Sequence, residues 1–129
     1  MPYASAITVL VVDDQKAIRT LVKDSLQQLG FRHVSECEDG AQALNFLKHT
    51  PVHLIISDLN MPNLDGLGLL RAVRSTLGLE KTAFIMLTSR GEVELVKQAV
   101  QLGVNNYLTK PFALGLLRKK IEAVFGPLT

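Results

Sequence analysis

Short apolar runs alternate along the chain with longer segments in which apolar residues recur every three or four positions. The runs are too short for helices, and several are rich in β-branched residues, which predicts buried strands. We expect strands over residues 7–12, 34–37, 52–56, 83–87 and 106–109. After each strand, helical spacing predicts one buried stripe. The stripes are Ile18, Leu21, Val22, Leu26 and Leu29; Ala41, Leu44 and Leu47; Leu69, Leu70, Val73 and Leu77; Val93, Val96, Ala99, Val100 and Leu102; and Leu117, Ile121, Val124 and Phe125.

Five strand–helix units in strict alternation predict the fold class. Parallel neighbours need crossover connections, and strands that are apolar throughout must be covered on both faces. The pattern therefore predicts an α/β fold with a doubly wound, five-stranded parallel sheet and helices on both faces, the flavodoxin-like arrangement. We expect a single domain over residues 1–129, in which residues 1–6 form a short N-terminal arm.

Composition narrows the classes of function. Of 129 residues, 14 are Lys or Arg and 12 are Asp or Glu, and the net charge of +2 is too mild to argue for nucleic-acid binding. No apolar run approaches the ~20 residues of a membrane span, and the N-terminus lacks the apolar stretch of a signal peptide. The lone cysteine, Cys37, excludes an internal disulfide and is expected to be a buried small side chain. We expect a cytoplasmic protein with no nucleic-acid partner and no membrane insertion.

Polar residues follow four of the predicted strands. Asp13 and Asp14 come after the first strand, Asp58 after the third, Thr88 after the fourth and Lys110 after the fifth. In a doubly wound sheet the carboxyl ends of the strands share one edge, where ligands bind. Segments that are far apart in sequence should therefore bring three carboxylates, a hydroxyl and an ammonium together.

Three neighbouring carboxylates are costly without a counter-charge. Two like charges about 4 Å apart repel by ~4 kcal/mol at an effective dielectric near 20, and Lys110 alone cannot balance three acids. Mg²⁺ prefers carboxylate, carbonyl and water oxygens and leaves positions for phosphate. Asp58 is then a candidate carboxylate nucleophile for a phosphoryl group. Taken singly, each residue is more simply a helix cap or a turn residue, and only their conjunction favours a site.

The stretches "VLVVDD", "EDGAQAL", "ISDLNMPNLDG", "LTS" and "YLTKPF" resemble response-regulator receiver domains, in particular stand-alone members of the CheY-like chemotaxis type. The resemblance covers essentially the whole chain. It implies that Asp58 is the phosphoacceptor. It also implies that Asp13, Asp14, Asp58 and the backbone carbonyl of Asn60 hold Mg²⁺ (or Mn²⁺).

The resemblance also implies a switch. Thr88 and Lys110 would contact the phosphoryl group, and Tyr107 would turn inward when Thr88 is drawn to it. The Lys110–Pro111 peptide bond would be cis. The surface that reads out the switch would comprise the fourth helix, fifth strand and fifth helix, over roughly residues 91–102, 105–109 and 114–125.

Three departures from the family's pattern stand out. Arg90 lies two residues after Thr88, and together with Asn60 it should flank the phosphoryl group and tune its hydrolysis. Ala113 stands where a helix-capping side chain is common, which should weaken the start of the last helix. Gln15 follows the acidic pair where further acids are frequent, so the metal site should carry no extra charge there.

Outside the family's pattern, the basic run Arg118, Lys119 and Lys120 indicates either a solvated helix face or a contact with an acidic partner.

Three functions compete. The first is a monomeric binding module, not an enzyme, that accepts phosphoryl from a histidine kinase, assists its own slow dephosphorylation and changes its affinity for a separate effector such as the flagellar motor switch. The second is a phosphate sink for the kinase, without motor contact. The third is a Mg²⁺-dependent phosphatase of the haloacid-dehalogenase type, which resembles this site in its Asp nucleophile but requires an acid where Asn60 stands.

Overall fold

The computed structural model describes residues 3–129, which form five strands and five α-helices. The strands are β1 (Thr8–Val12), β2 (His33–Cys37), β3 (Leu54–Asp58), β4 (Ala83–Thr88) and β5 (Asn106–Thr109). The helices are α1 (Lys16–Gln28), α2 (Gly40–His49), α3 (Gly66–Ser75), α4 (Val93–Gln101) and α5 (Leu114–Phe125), and a 3-10 turn, Ala4–Ala6, precedes β1. Within residues 3–129, no helix is long and apolar enough to cross a membrane.

The five strands form one parallel sheet in the order β2-β1-β3-β4-β5. Side chains alternate between its two faces, so each strand supplies both halves of the core. One half includes Val9 and Val11 and is covered by α1 and α5. The other half includes Leu10 and Val12 and is covered by α2, α3 and α4. The predicted doubly wound fold is therefore confirmed.

The topology positions the polar residues. Strand order reverses between β1 and β3, because the chain proceeds from β1 outward to β2 and then returns to the other side of β1. This is the point at which open α/β sheets form a crevice outside the carboxyl ends of the strands. Asp13 follows β1 directly and Asp58 ends β3, so both lie at that crevice.

The third strand begins and ends two residues later than its apolar run predicts. It covers Leu54–Asp58 instead of residues 52–56, because backbone pairing with β4 continues through Ser57 and Asp58 after the apolar residues end. Both polar residues are buried, and the Ser57 hydroxyl donates to the carbonyl oxygen of Asp58 at 3.0 Å. The phosphoacceptor candidate is thus part of the strand itself.

Several residues of the predicted stripes are exposed. Leu77 is 94% exposed because α3 ends at Ser75, before the stripe would reach it. Leu21 of α1 is 48% exposed, whereas Arg19 of the same helix is buried. Val93 and Val100 of α4 are also exposed, since α4 turns Ala99 toward the sheet. Residues 1 and 2 of the expected arm lie outside the described residues.

Candidate functional site

Three carboxylates meet at the carboxyl end of the sheet. One oxygen from each of Asp13, Asp14 and Asp58 lies within 4.8 Å of the others. Asp13 and Asp58 are buried, whereas Asp14 is exposed at the mouth of the crevice. The structure therefore brings together the three acids that the strand-end rule selected.

One carboxylate oxygen of Asp13 accepts a hydrogen bond, and the other has no donor among residues 3–129. Its Oδ1 accepts a hydrogen bond from the backbone N–H of Gln15 at 2.9 Å. Its buried Oδ2 accepts none from any residue in the described range 3–129, and the Lys110 ammonium stands 3.8 Å away. Burial, followed by the charges of Asp58 and Asp14, raises the pKa of the Asp13 carboxyl to about 6, against the opposing influence of the Gln15 N–H and Lys110. A buried acceptor without a donor is a position that a cation can fill.

Asp58 directs one oxygen toward Lys110. Its Oδ1 accepts from the backbone N–H of Leu59 at 2.9 Å and from the Lys110 ammonium at 3.1 Å. Both of its side-chain hydrogen bonds to residues 3–129 use this oxygen. Burial raises the pKa of the Asp58 carboxyl, and the hydrogen bond and charge of Lys110 counteract that rise. The arrangement leaves Oδ2 as the atom for a reaction.

Gly66 lies against the backbone of Asp58 and leaves no space for a side chain. A Cβ atom built at Gly66 would lie 2.3 Å from the carbonyl oxygen of Asp58 and 2.8 Å from Sδ of Met86. Because real Cβ atoms do not approach other atoms so closely, only glycine fits where α3 begins against β3. Asp65, the preceding residue, caps α3 by accepting from the N–H of Gly68 at 2.8 Å.

Thr88 and Lys110 are neighbours at the ends of β4 and β5. The N–H of Lys110 donates to the carbonyl oxygen of Thr88 at 2.7 Å, and the buried Thr88 hydroxyl lies 3.4 Å from that of Thr109. The peptide bond between Lys110 and Pro111 is cis. From this corner the Lys110 side chain extends past β4 to reach Asp58 on β3.

Tyr107 lies apart from the acids. Its ring is 40% exposed on β5, and the Lys120 ammonium of α5 stands 5.2 Å from the ring centroid. Beside it runs a groove of about 620 Å³ between α4 and β5, lined on its apolar side by Val93, Val96 and Val100. The exposed valines of α4 thus face the same groove as Tyr107.

Asn60, one of the two residues expected to flank the phosphoryl group, contacts a residue that the sequence analysis did not select. The Asn60 amide donates to the Glu92 carboxylate, which also accepts from the N–H of Ser89. Glu92 thereby joins the loop after β3 to the loop after β4. Strand-end reasoning missed Glu92 because it lies four residues beyond the end of its strand.

Arg19 was also missed by the sequence analysis. Its guanidinium donates to the backbone carbonyl of Asp13 at 2.8 Å and to Glu36 of β2 at 2.8 Å. Helical periodicity places residue 19 among the polar positions of α1, and nothing in its spacing indicates a buried contact with the end of β1. The N-terminus of α5, in contrast, is as expected: no side chain among residues 3–129 caps it at Ala113.

The donor set fits a hard divalent cation. All three side chains offer carboxylate oxygens, which Mg²⁺ and Mn²⁺ prefer over nitrogen or sulfur. Oδ2 of Asp13 has no hydrogen-bond partner among residues 3–129, and Asp14 is open to solvent. A cation held there would offset the mutual repulsion of the three acids.

Comparisons with known proteins agree with this geometry. The family description "Response regulator receiver domain" matches residues 9–122. A probable chemotaxis protein CheY of Rhizobium etli is 48% identical over 128 residues, which cover 99% of each chain. The chemotaxis protein CheY of Pseudomonas aeruginosa is 38% identical over 117 residues, which cover 91% of this chain and 94% of that protein.

Solved structures show the same similarity. The chemotaxis response regulator CheY4 of Vibrio cholerae is 34% identical, with a TM-score of 0.82 over 90% of this chain and 96% of that one. The receiver domain of a sensor histidine kinase from Pseudomonas aeruginosa is 29% identical, with a TM-score of 0.83 over 93% and 98% of the two chains, and its structure has a magnesium ion coordinated in the active site cleft. The chain therefore belongs to the response-regulator receiver family of two-component signalling.

Proposed function

We propose that this receiver accepts a phosphoryl group on Asp58 from a phosphohistidine of a histidine kinase and then changes its affinity for a separate effector protein. The observation that carries the proposal is the environment of Asp58. One carboxylate oxygen of Asp58 is held by Lys110 at 3.1 Å, and the carboxylate forms a cluster with the acids Asp13 and Asp14. The Asp58 carboxylate lies beside the Lys110 ammonium and beside a possible metal site. Both positive charges would offset the negative charge of a phosphoryl group during its transfer.

In this proposal Oδ2 of Asp58 attacks the phosphorus atom. A P–O bond forms and the P–N bond to the kinase histidine breaks. The electron pair of the broken bond stays on the imidazole nitrogen, which takes up a proton from solvent. Lys110 stays at the acceptor and offsets charge on the phosphoryl oxygens. Asp13, Asp14, Asp58 and the backbone carbonyl of Asn60 would hold Mg²⁺ or Mn²⁺, which when bound supplies further charge neutralisation.

The proposed switch begins at Thr88. Its buried hydroxyl lies 3.4 Å from its neighbour Thr109, a weak contact that can be exchanged for a phosphoryl oxygen. Movement of Thr88 would vacate space beside β5 for Tyr107, which is now half exposed. The readout would then be a change in the groove between α4 and β5, where exposed Val93 and Val100 lie. A local charge would thus bias a two-state element.

Two relatives that cover nearly the whole chain are named as chemotaxis proteins. We therefore propose a chemotaxis kinase as the donor and the flagellar motor switch as the effector, bound through α4, β5 and α5. We place the reaction in the cytoplasm and treat the chain as a monomeric phosphoacceptor, not a turnover enzyme. Asn60 stands where the phosphatase alternative requires an acid, which disfavours that function.

The test is intact mass after incubation with acetyl phosphate and Mg²⁺, with wild type and Asp58→Asn side by side. We expect one phosphoryl adduct on the wild type, lost when EDTA chelates the metal, and none on the variant. Absence of the adduct from wild type, together with no binding of beryllofluoride, would refute the proposal. If the adduct forms but leaves binding to every motor component unchanged, the phosphate-sink function replaces motor control.

A further inference from the structure

Arg19 is a buried charge with two partners on different elements. The residue is 7% exposed although it is an arginine on a helix. Its Nη1 donates to the carbonyl oxygen of Asp13 at 2.8 Å, and its Nε donates to Oε1 of Glu36 at 2.8 Å. Arginines are rarely buried unless they are paired, so the position of this guanidinium is defined by both contacts.

These contacts fix the main chain of Asp13 from two sides. The N–H of Asp13 donates to the carbonyl oxygen of Cys37 on β2 at 3.2 Å, and its carbonyl oxygen accepts from Arg19 on α1. The Gln15 N–H then orients the carboxylate through Oδ1. The free Oδ2 is consequently held in place by the backbone, although it has no donor of its own among residues 3–129.

Lys110 is the competitor for that oxygen. Its ammonium lies 3.8 Å from Oδ2 of Asp13, whereas charge-assisted hydrogen bonds are about 2.7–2.9 Å long. A movement of about 1 Å by Asp13 would therefore convert the present approach into a direct ion pair. That pair would occupy the oxygen needed for a cation and draw Lys110 away from Asp58.

The structure assigns Arg19 as a positioning residue that holds Asp13 apart from Lys110 and thereby presets the acidic cluster for a divalent cation. The inference rests on the proposed function, since it concerns the same site. Some residues do not bind the metal but hydrogen-bond to its ligands and orient them. Removal of such a residue commonly lowers metal affinity by about 10–100-fold. Arg19 orients Asp13 through the backbone carbonyl of Asp13, so both oxygens of the Asp13 carboxylate remain available for other contacts.

The chain offers a matched control in Lys23. This residue also lies on α1 and also pairs with Glu36, through Oε2 at 2.6 Å, and its contact is with Glu36 and not with Asp13. Loss of Lys23 removes a cation from the same carboxylate and leaves the Arg19–Asp13 hydrogen bond in place. A difference between the two variants therefore isolates the contact with Asp13.

The experiment measures the Mg²⁺ dissociation constant by isothermal titration calorimetry for wild type, Arg19→Met and Lys23→Met, with thermal unfolding in EDTA as the measure of stability. We expect Arg19→Met to weaken Mg²⁺ binding about tenfold. We expect Lys23→Met to keep the Mg²⁺ dissociation constant within about twofold of that of wild type, because this variant loses only an ion pair at the surface. We also expect saturating Mg²⁺ to restore phosphorylation of Arg19→Met by acetyl phosphate.

Equal Mg²⁺ affinity in Arg19→Met and wild type would overturn the assignment, as would equal losses in both variants. If Arg19→Met does not fold, Arg19→Lys decides, because it keeps the positive charge but lacks the planar guanidinium whose Nε and Nη1 contact Glu36 and Asp13 at the same time. Unchanged affinity in that variant overturns the assignment too. Wild type that binds Mg²⁺ and forms the Asp58 adduct upholds the proposed function whatever the variants do. Wild type that does neither refutes the proposed function instead.

Discussion

The Lys110 ammonium lies 3.1 Å from Oδ1 of Asp58, across 52 positions of sequence and one intervening strand. The contact holds the carboxylate proposed as the phosphoacceptor by one oxygen and places a cation where the proposed phosphoryl group would carry negative charge. Burial raises the pKa of the Asp58 carboxyl, whereas Lys110 favours its ionised form, which is the form that the proposed nucleophile requires.

Removal of Lys110 should slow phosphorylation with little effect on the fold. In Lys110→Met the phosphoryl group loses its fixed protein cation, and the expected cost is about 100-fold in rate, as for the loss of one oxyanion-stabilising donor. Stopped-flow or quenched mass spectrometry with acetyl phosphate measures that rate. Lys119→Met, an exposed position on α5, is the control and should react as wild type does. Similar rates for all three proteins would contradict the role of Lys110.

The metal-free protein should become less stable as pH rises from 5 to 7. Asp13 has an ordinary pKa of 3.8 and a folded-state pKa of about 6, so the folded state binds the extra proton in this interval. Stability then falls with rising pH, by about 1 kcal/mol from this group. Urea unfolding in EDTA at the two pH values measures the difference.

Asp13→Asn supplies the control for that pH dependence. The variant removes the titrating group and part of the repulsion among the three acids, so it should be more stable than wild type at pH 7 and should lose most of the slope. A slope of the same size in Asp13→Asn would assign the titration to another residue.

Two glycine substitutions should have opposite effects. Gly66→Ala places a Cβ atom 2.3 Å from the carbonyl oxygen of Asp58, which should destabilise the fold by about 1–3 kcal/mol and displace the acceptor. Gly115→Ala, on α5, meets no atom of residues 3–129 within 4 Å and should stabilise by up to about 1 kcal/mol. Chemical denaturation of both variants tests the pair. An unchanged free energy of unfolding in Gly66→Ala would show that α3 can move away from β3 without loss of stability.

Tyr107 should report the active state by fluorescence. The chain contains only one other tyrosine, Tyr3, so the Tyr3→Phe background isolates the signal of Tyr107. Addition of Mg²⁺ and beryllofluoride should change that signal as the ring leaves the Lys120 ammonium and solvent. Thr88→Ala should bind beryllofluoride without the change. An identical fluorescence change in Thr88→Ala would show that the response of Tyr107 does not depend on the Thr88 hydroxyl.

The start of α5 should accept a stabilising cap. Ala113 occupies the N-cap position with extended backbone, φ −88° and ψ 149°, which suits an aspartate or serine side chain. Ala113→Asp should therefore raise the free energy of unfolding by about 1 kcal/mol. Ala113→Val, which cannot cap, is the control for any effect of side-chain size. Equal stability of the two variants would show that this helix start does not depend on capping.

The sequence by itself determined the five strand–helix units, because local periodicity records which face of each element meets the core. It also determined which polar residues approach one another, since Asp13, Asp58, Thr88 and Lys110 all stand at the carboxyl ends of parallel strands. The position of β3 was predicted two residues too early, because backbone pairing continues through Ser57 and Asp58 where the apolar signal has ended.

Only the tertiary structure decided the contacts made between elements. The rotation of α1 about its own axis buries Arg19 and exposes Leu21, and a period of 3.6 residues does not specify that rotation to within one position. Likewise, the contact between Asn60 and Glu92 depends on how the loops after β3 and β4 approach each other, and no local pattern in the sequence predicts it. Periodicity describes one element at a time, whereas these contacts exist only once several elements have been packed together.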